Sequence, residues 1–211
     1  ARRAAAALGR AYTEVNLVVV HLGGGISVGA HRRGRVVDVN NALDGEGPMA
    51  PERAGTVPSL GLVHLAFSWQ HTLQEVSRML VGGGGLVAHL GTNDARRVEE
   101  RIAAGDAGAR AAYQAMAYQV AKEVGRAAVA LGGQVDRIVL TGGLARSEML
   151  TGWIAEQVEW IAPVAVYPGE DEMAALAAGA LRVLRGEEPA QAYGEAGEGE
   201  ASDRKRSTGA G

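Results

Sequence analysis

The 211-residue sequence contains no cysteine. That absence excludes a disulfide framework, a thiolate-bound zinc and a cysteine nucleophile. Aromatic residues make up only 4% of the chain, with a single phenylalanine, so the core must be packed from aliphatic and small side chains. Lysine is nearly missing as well. Lys122 and Lys205 are the only two, and arginine carries the rest of the positive charge, which reads as codon bias of a GC-rich genome. Neither charge sign dominates. The formal charge of −3 leaves no footprint for nucleic acid or a membrane surface. No apolar run approaches the ~20 residues that a spanning helix needs, and no leader-type apolar segment is found, so the cytoplasm is the expected compartment. Also missing are a Ser-His-Asp order, an HExxH pair and a GxxxxGK[ST] loop.

What the chain does have is 47% hydrophobic residues and 31 glycines, enough for one large domain or two small ones. The glycines are not spread evenly. The run HLGGGISVGAHRRGRVVDVNNALDGEGPMAPERAG, residues 21–55, starts where an apolar strand over 16–20 meets three consecutive glycines. Glycines after a strand let a ligand approach the backbone, and their N–H groups can point at phosphate oxygens. A second strand follows over 26–31, a turn at Arg32-Arg33-Gly34, and a third strand over 35–39.

Beyond this hairpin the pattern turns to helices. Residues 59–81 read as one helix, 94–104 as a short one capped by Thr92 or Asn93, and 107–131 as the most regular, with Met116, Val120 and Val124 at steps of four. A buried strand over 137–140 runs into Thr141-Gly142-Gly143. A helix over 147–160, a strand over 164–167 and a last helix over 170–184 complete the pattern. The fold class is therefore α/β, with a mixed sheet flanked by helices. Residues 1–15 read as a linking helix that ends at Gly9, which implies further chain upstream. Residues 186–211 read as a disordered tail, poor in apolar side chains.

Several positions are able to carry chemistry. Gly23, Gly24 and Gly25 could cradle a phosphate, with His21 and Ser27 beside them, or form an unoccupied tight turn. Thr141, Gly142, Gly143 and Leu144 close a buried strand, where ligands of α/β folds gather. Arg53 could stabilise a phosphoryl group in flight, or simply pair with its neighbour Glu52 on the surface. Asn40 and Asp44 could contact substrate or cap turns. Glu170, Asp171 and Glu172 follow a Pro-Gly turn at a helix start, where acids serve the helix dipole or a metal. His31, His64, His71 and His89 lack ligand spacing.

Read together, the segments HLGGGISV, VDVNNALDGEGP, PER-x-G, GGLVAHLGTNDAR, AMAYQVAKEVG, LTGGLA and APV-x-VYPGEDEMAALA-x-GALRVLRGEE resemble, in order, the butyrate kinases of the acetate and sugar kinase, Hsp70 and actin superfamily. The resemblance runs from about Tyr12 to Glu188. It implies a ribonuclease-H-like (actin-like ATPase) domain over 16–185. It implies reversible phosphoryl transfer between ATP and a short-chain carboxylate such as butyrate, with Mg2+. In that reading Gly23–Ser27, with His21, resembles the second phosphate motif and Thr141–Leu144 the adenosine motif. Arg53 resembles the arginine that stabilises the transferring group, and Asp171 or Glu172 the acid near the metal; Asn40 and Asp44 are second-shell or substrate candidates. Ala54 stands where the family usually has serine. Only the family's carboxyl-terminal domain and linking helix are matched, so the chain by itself is expected to bind nucleotide weakly and turn over little. The expected partners are a carboxylate and a nucleotide, with a homodimer or self-association through exposed domain surface. Other readings are a non-catalytic nucleotide-binding module or a remnant of a disrupted kinase gene. A sugar kinase or Hsp70-like ATPase fits the glycine loops but not VYPGEDEMAALA.

Overall fold

The computed structural model describes residues 1–169 and 171–190. The chain divides into two compact units, Ala1–Glu170 and Asp171–Gly211. Glu170, most of the expected tail and the side chain of Glu172 lie outside the described residues.

The first unit is built on a five-stranded sheet. Strands β1 (Asn16–Leu22) and β2 (Ile26–Arg32) pair antiparallel, with His21 opposite Ser27. The next strand, β3 (Arg35–Val39), returns along β2 after a two-residue turn in which Arg33 and Gly34 take φ of 46° and 91°. Positive φ at both central positions gives a hairpin turn whose twist matches that of its strands. On the other side of β1 lies β4 (Arg137–Gly142), in parallel, and β5 (Val164–Pro168) is parallel to β4. The order β3-β2-β1-β4-β5 is the mixed sheet expected from the strand pattern, and fits the ribonuclease-H-like core that the resemblance implies.

Alternation along the strands sets the two faces. Val18, Val20 and Leu22 of β1, with Ile26, Val28, Ala30, Ile138 and Leu140, join one core with helix α6 (Ala107–Ala130) and helix α7 (Glu148–Val158). Tyr113, Met116, Val120 and Val124 supply the α6 side of that core. On the opposite face, helix α1 (Arg2–Ala7) lays Ala4 and Ala5 against Leu17 and Val139. Arg10 bonds Asp136 at 2.6 Å, and the same carboxylate accepts from the Asn16 amide at 2.7 Å, tying the segment after α1 to the start of β1. Farther along β1 this face carries His21 in register with Ser27 and Thr141.

Between β3 and β4 come helices α2 (Ser59–Ala66), α3 (Leu73–Leu80), α4 (Gly85–Leu90) and α5 (Ala95–Ala103). The single helix expected over 59–81 is thus two. Trp69, 97% exposed, takes φ of 60° in the break, and Thr72 restarts the chain by a capping box with Glu75. A reciprocal pair of cap bonds satisfies the first free amides and so favours a new helix over continuation of the old one. The cap of α5 is Asp94, not Thr92 or Asn93: its carboxylate accepts from the Arg96 amide. No described helix is long and apolar enough to cross a membrane. In the second unit, α8 (Glu172–Leu184) is the one helix among the described residues.

Candidate functional site

Two clefts open at the carboxyl ends of β1 and β4. The first, of about 540 Å³, is lined by His21, Gly23, Gly24, Gly25, Ser27, Asn40, Arg53 and their neighbours. The glycine loop keeps its turn through a Gly23 N–H donated to the Gly25 carbonyl at 3.2 Å. Arg53 arrives from a different part of the chain. Its loop is held by the Ala54 amide on the Leu80 carbonyl, the Gly82 amide on the Glu52 carbonyl and the Glu52 amide on the Gly24 carbonyl. The guanidinium packs so closely on Gly25 that a Cβ there would lie 2.0 Å from Nη1. Any side chain at this position would displace the guanidinium. The Arg53 Nε is buried and bonds nothing, and no ion pair to Arg53 exists among the described residues. The surface pair with Glu52 allowed by the sequence is not formed. Glu52 instead accepts from Asn93 Nδ2 at 2.5 Å.

Asn40 is 6% exposed and spends its amide on the backbone. Its Oδ1 accepts from the Val28 amide at 2.7 Å, and its Nδ2 donates to the carbonyls of Ile26 and Glu46. It therefore shapes the wall of the first cleft by fastening the loop after β3. Asp44 is exposed, accepts from Asn41 Nδ2 at 2.7 Å, and stands outside the lining while Asn41, Ala42 and Leu43 belong to it.

The second cleft, of about 520 Å³, lies between the turn after β4 and the start of α5. Gly143, Leu144, Arg146 and Ser147 form one wall, and Asn93, Asp94, Ala95, Arg96 and Glu99 the other. Gly142 is not in the lining. It takes φ of 96°, and a Cβ there would meet the Leu22 carbonyl oxygen at 2.4 Å. This glycine serves the packing of β4 on β1, and the open surface belongs to Gly143 and Leu144. Behind the cleft, Glu99 Oε1 accepts from Tyr113 at 3.0 Å and from Ser147, joining α5, α6 and α7. Burial pushes the Tyr113 phenol well above its ordinary value, so it stays a donor. The Arg96 side chain and amide hold the Asp94 carboxyl below the ordinary aspartate range.

The structure thus groups His21, Gly23, Gly24, Gly25, Ser27 and Arg53 in one cleft and places Gly143 and Leu144 in another. Thr141 is half-buried in register with His21. Asp171, at the start of the second unit, is exposed, and its side chain makes no capping bond to α8. Sequence reasoning missed the start of α5 as part of the site, and the bond from Asn93 to Glu52 that ties it to the loop of Arg53. The signal available was Thr92-Asn93-Asp94, read only as a helix cap.

The profile of the Acetokinase family matches residues 1–159. The chain belongs to the acetokinase family. Among solved structures it is similar to an acetate kinase from Porphyromonas gingivalis, at 25% identity and a TM-score of 0.79, over 86% of this chain and 52% of that one. A propionate kinase from Francisella tularensis subsp. tularensis matches at 23% identity and a TM-score of 0.73, over 81% of this chain and 50% of that one. An acetate kinase from Entamoeba histolytica matches at 18% identity and a TM-score of 0.70, over 80% and 52%. The chain spans about half the length of these kinases. The fold is that of an α/β actin-like ATPase domain.

Proposed function

We propose that this chain is the nucleotide-holding half of a short-chain acyl kinase, with butyrate as the carboxylate acceptor. One observation carries the reading. A guanidinium with no carboxylate partner lies against a glycine loop at the end of a central strand, in a cleft of about 540 Å³. Backbone amides and an unpaired arginine together complement the charge of phosphate oxygens. The second cleft, beside Gly143 and Leu144, suits the nucleoside.

In the proposed reaction a carboxylate oxygen attacks the γ-phosphorus of ATP. The bond from that phosphorus to the bridging oxygen breaks, and ADP leaves with that oxygen while an acyl phosphate forms. The glycine loop holds the β-phosphate, with His21 and Ser27 at its rim. Arg53 stabilises the equatorial oxygens of the transferring group. Among the described residues no three His, Asp or Glu side chains form a metal cage. The sequence resemblance implies magnesium, which takes one or two carboxylates and keeps phosphate oxygens and waters. Asp171 or Glu172 would hold it, and when bound it would neutralise phosphate charge. Positioning is needed on both sides of the in-line path. A half-length chain therefore binds nucleotide but turns over slowly. Butyrate as acceptor rests on the sequence resemblance alone, most of all on VYPGEDEMAALA.

Calorimetric titration of the purified chain tests the reading. Mg-ADP binds, Arg53→Ala spares ADP, and the same variant weakens Mg-AMPPNP. Absence of ADP binding at millimolar concentration would overturn the nucleotide assignment.

A further inference from the structure

One side chain reaches from the loop beside the first cleft to the wall of the second. Glu52 is bonded toward both, through its amide, its carbonyl and one carboxylate oxygen. Its amide donates to the Gly24 carbonyl at 3.2 Å and its carbonyl accepts from the Gly82 amide at 2.7 Å. Its Oε1 accepts from Asn93 Nδ2 at 2.5 Å, and its Oε2 lies 3.5 Å from where a Cβ on Gly24 would be. Gly24 lines the first cleft and Asn93 the second. Asn93 also directly precedes Asp94, the cap of α5. A continuous set of bonds thus runs from Asn93 through Glu52 to the Gly24 carbonyl, and Glu52 directly precedes Arg53.

We infer that Glu52 and Asn93 are positioning residues: their hydrogen bond transmits occupancy of the nucleoside cleft to the glycine loop, so that the nucleoside sets the loop that receives the β-phosphate. The inference rests on the nucleotide reading above. It differs from a direct contact, because Asn93 is placed beside the nucleoside yet its loss is read at the phosphate. The carboxylate form of Glu52 is not needed for the link, since a glutamine keeps an oxygen in the same place to accept from Asn93. Its negative charge beside Gly24 opposes a phosphate there, so an amide in its place costs nothing at the loop.

The experiment compares AMP and Mg-ADP affinities by calorimetry for the wild-type chain, Asn93→Ala, Glu52→Ala, Glu52→Gln and Asn93→Ala/Glu52→Ala, with a melting curve for each. The gain in affinity from AMP to ADP measures the β-phosphate contact. In Asn93→Ala and in Glu52→Ala that gain falls by about threefold to tenfold, the range of one net hydrogen bond. In Glu52→Ala, whose side chain lines neither cleft, AMP affinity and melting temperature stay near wild type; Asn93→Ala, on the nucleoside wall, is read only through the ratio of ADP to AMP affinity. The double variant loses no more than either single one. Glu52→Gln retains the gain or raises it. Equal weakening of AMP and ADP in Asn93→Ala, additive losses in the double variant, or a Glu52→Gln that behaves as Glu52→Ala would each overturn the link while leaving the nucleotide reading intact. Failure of the wild-type chain to bind either nucleotide overturns both.

Discussion

Gly25→Ala isolates the packing of Arg53 on the glycine loop. The added methyl would fall 2.0 Å from Nη1, 2.5 Å from Cζ and 3.0 Å from Nε of Arg53. All three atoms belong to the far end of a flexible side chain, so the guanidinium swings away and the backbone stays. Gly25 has no left-handed φ that an alanine would strain. The fold therefore keeps its stability, within about 0.5 kcal/mol, the range of substitutions that break no buried feature. The site does not. A hydrogen bond to a charged group is worth about 1.5–3 kcal/mol, and the half-open cleft reduces this toward about 1 kcal/mol. Mg-AMPPNP should then bind about fivefold more weakly, with Mg-ADP little changed, because Arg53 is assigned to the transferring group. Arg53→Ala should show the same loss, and Gly25→Ala/Arg53→Ala no further loss, since both remove one contact. Isothermal calorimetry on the four proteins, with thermal melts alongside, decides it. AMPPNP affinity equal to wild type in Gly25→Ala would refute the placement of Arg53 at the phosphate. Additive losses would show that the two residues act separately.

Gly142→Val tests structure where Gly25→Ala tests the site. A left-handed φ of 96° and a Cβ at 2.4 Å from the Leu22 carbonyl leave no room for any side chain, so the melting temperature should drop by several degrees, about 2 kcal/mol or more; an unchanged melt would contradict the close approach of β4 to β1. Asp136 supplies a pH dependence. The Asn16 amide, and then Arg10, lower its folded pKa below the ordinary value, so its contribution is full above the unfolded value and is lost as pH falls through the folded one. Urea melts from pH 7 to pH 3 should show wild-type stability declining at the acid end, with a shallower decline in Asp136→Asn; parallel curves would remove Asp136 as a cause.

The parts of this molecule that the sequence announced are those decided by neighbours along the chain. The hairpin was legible because Arg33-Gly34 sits between two alternating runs, and the glycine loop because three glycines follow an apolar strand. The break in the helix expected over 59–81 has a local signal as well, Thr72 and Glu75 at capping-box spacing, which the reading of a single helix passed over. Arg53 is different. Nothing local distinguishes it from an arginine paired with the preceding glutamate, and only the family resemblance raised it above its neighbours. The Glu52–Asn93 bond spans 41 positions and has no local trace at all.

Those nonlocal features share one physical origin. The loop carrying Glu52 and Arg53 has no regular structure of its own, and it is positioned by backbone bonds to Gly24 on one side and to Leu80 and Gly82 on the other. Its conformation is therefore set by the glycine loop and by α3 together, not by its own sequence. Ala54 contributes to that placement through its amide, donated to the Leu80 carbonyl at 3.0 Å, which any residue but proline supplies. The position of Arg53 therefore depends on the backbone of residue 54 and not on its side chain.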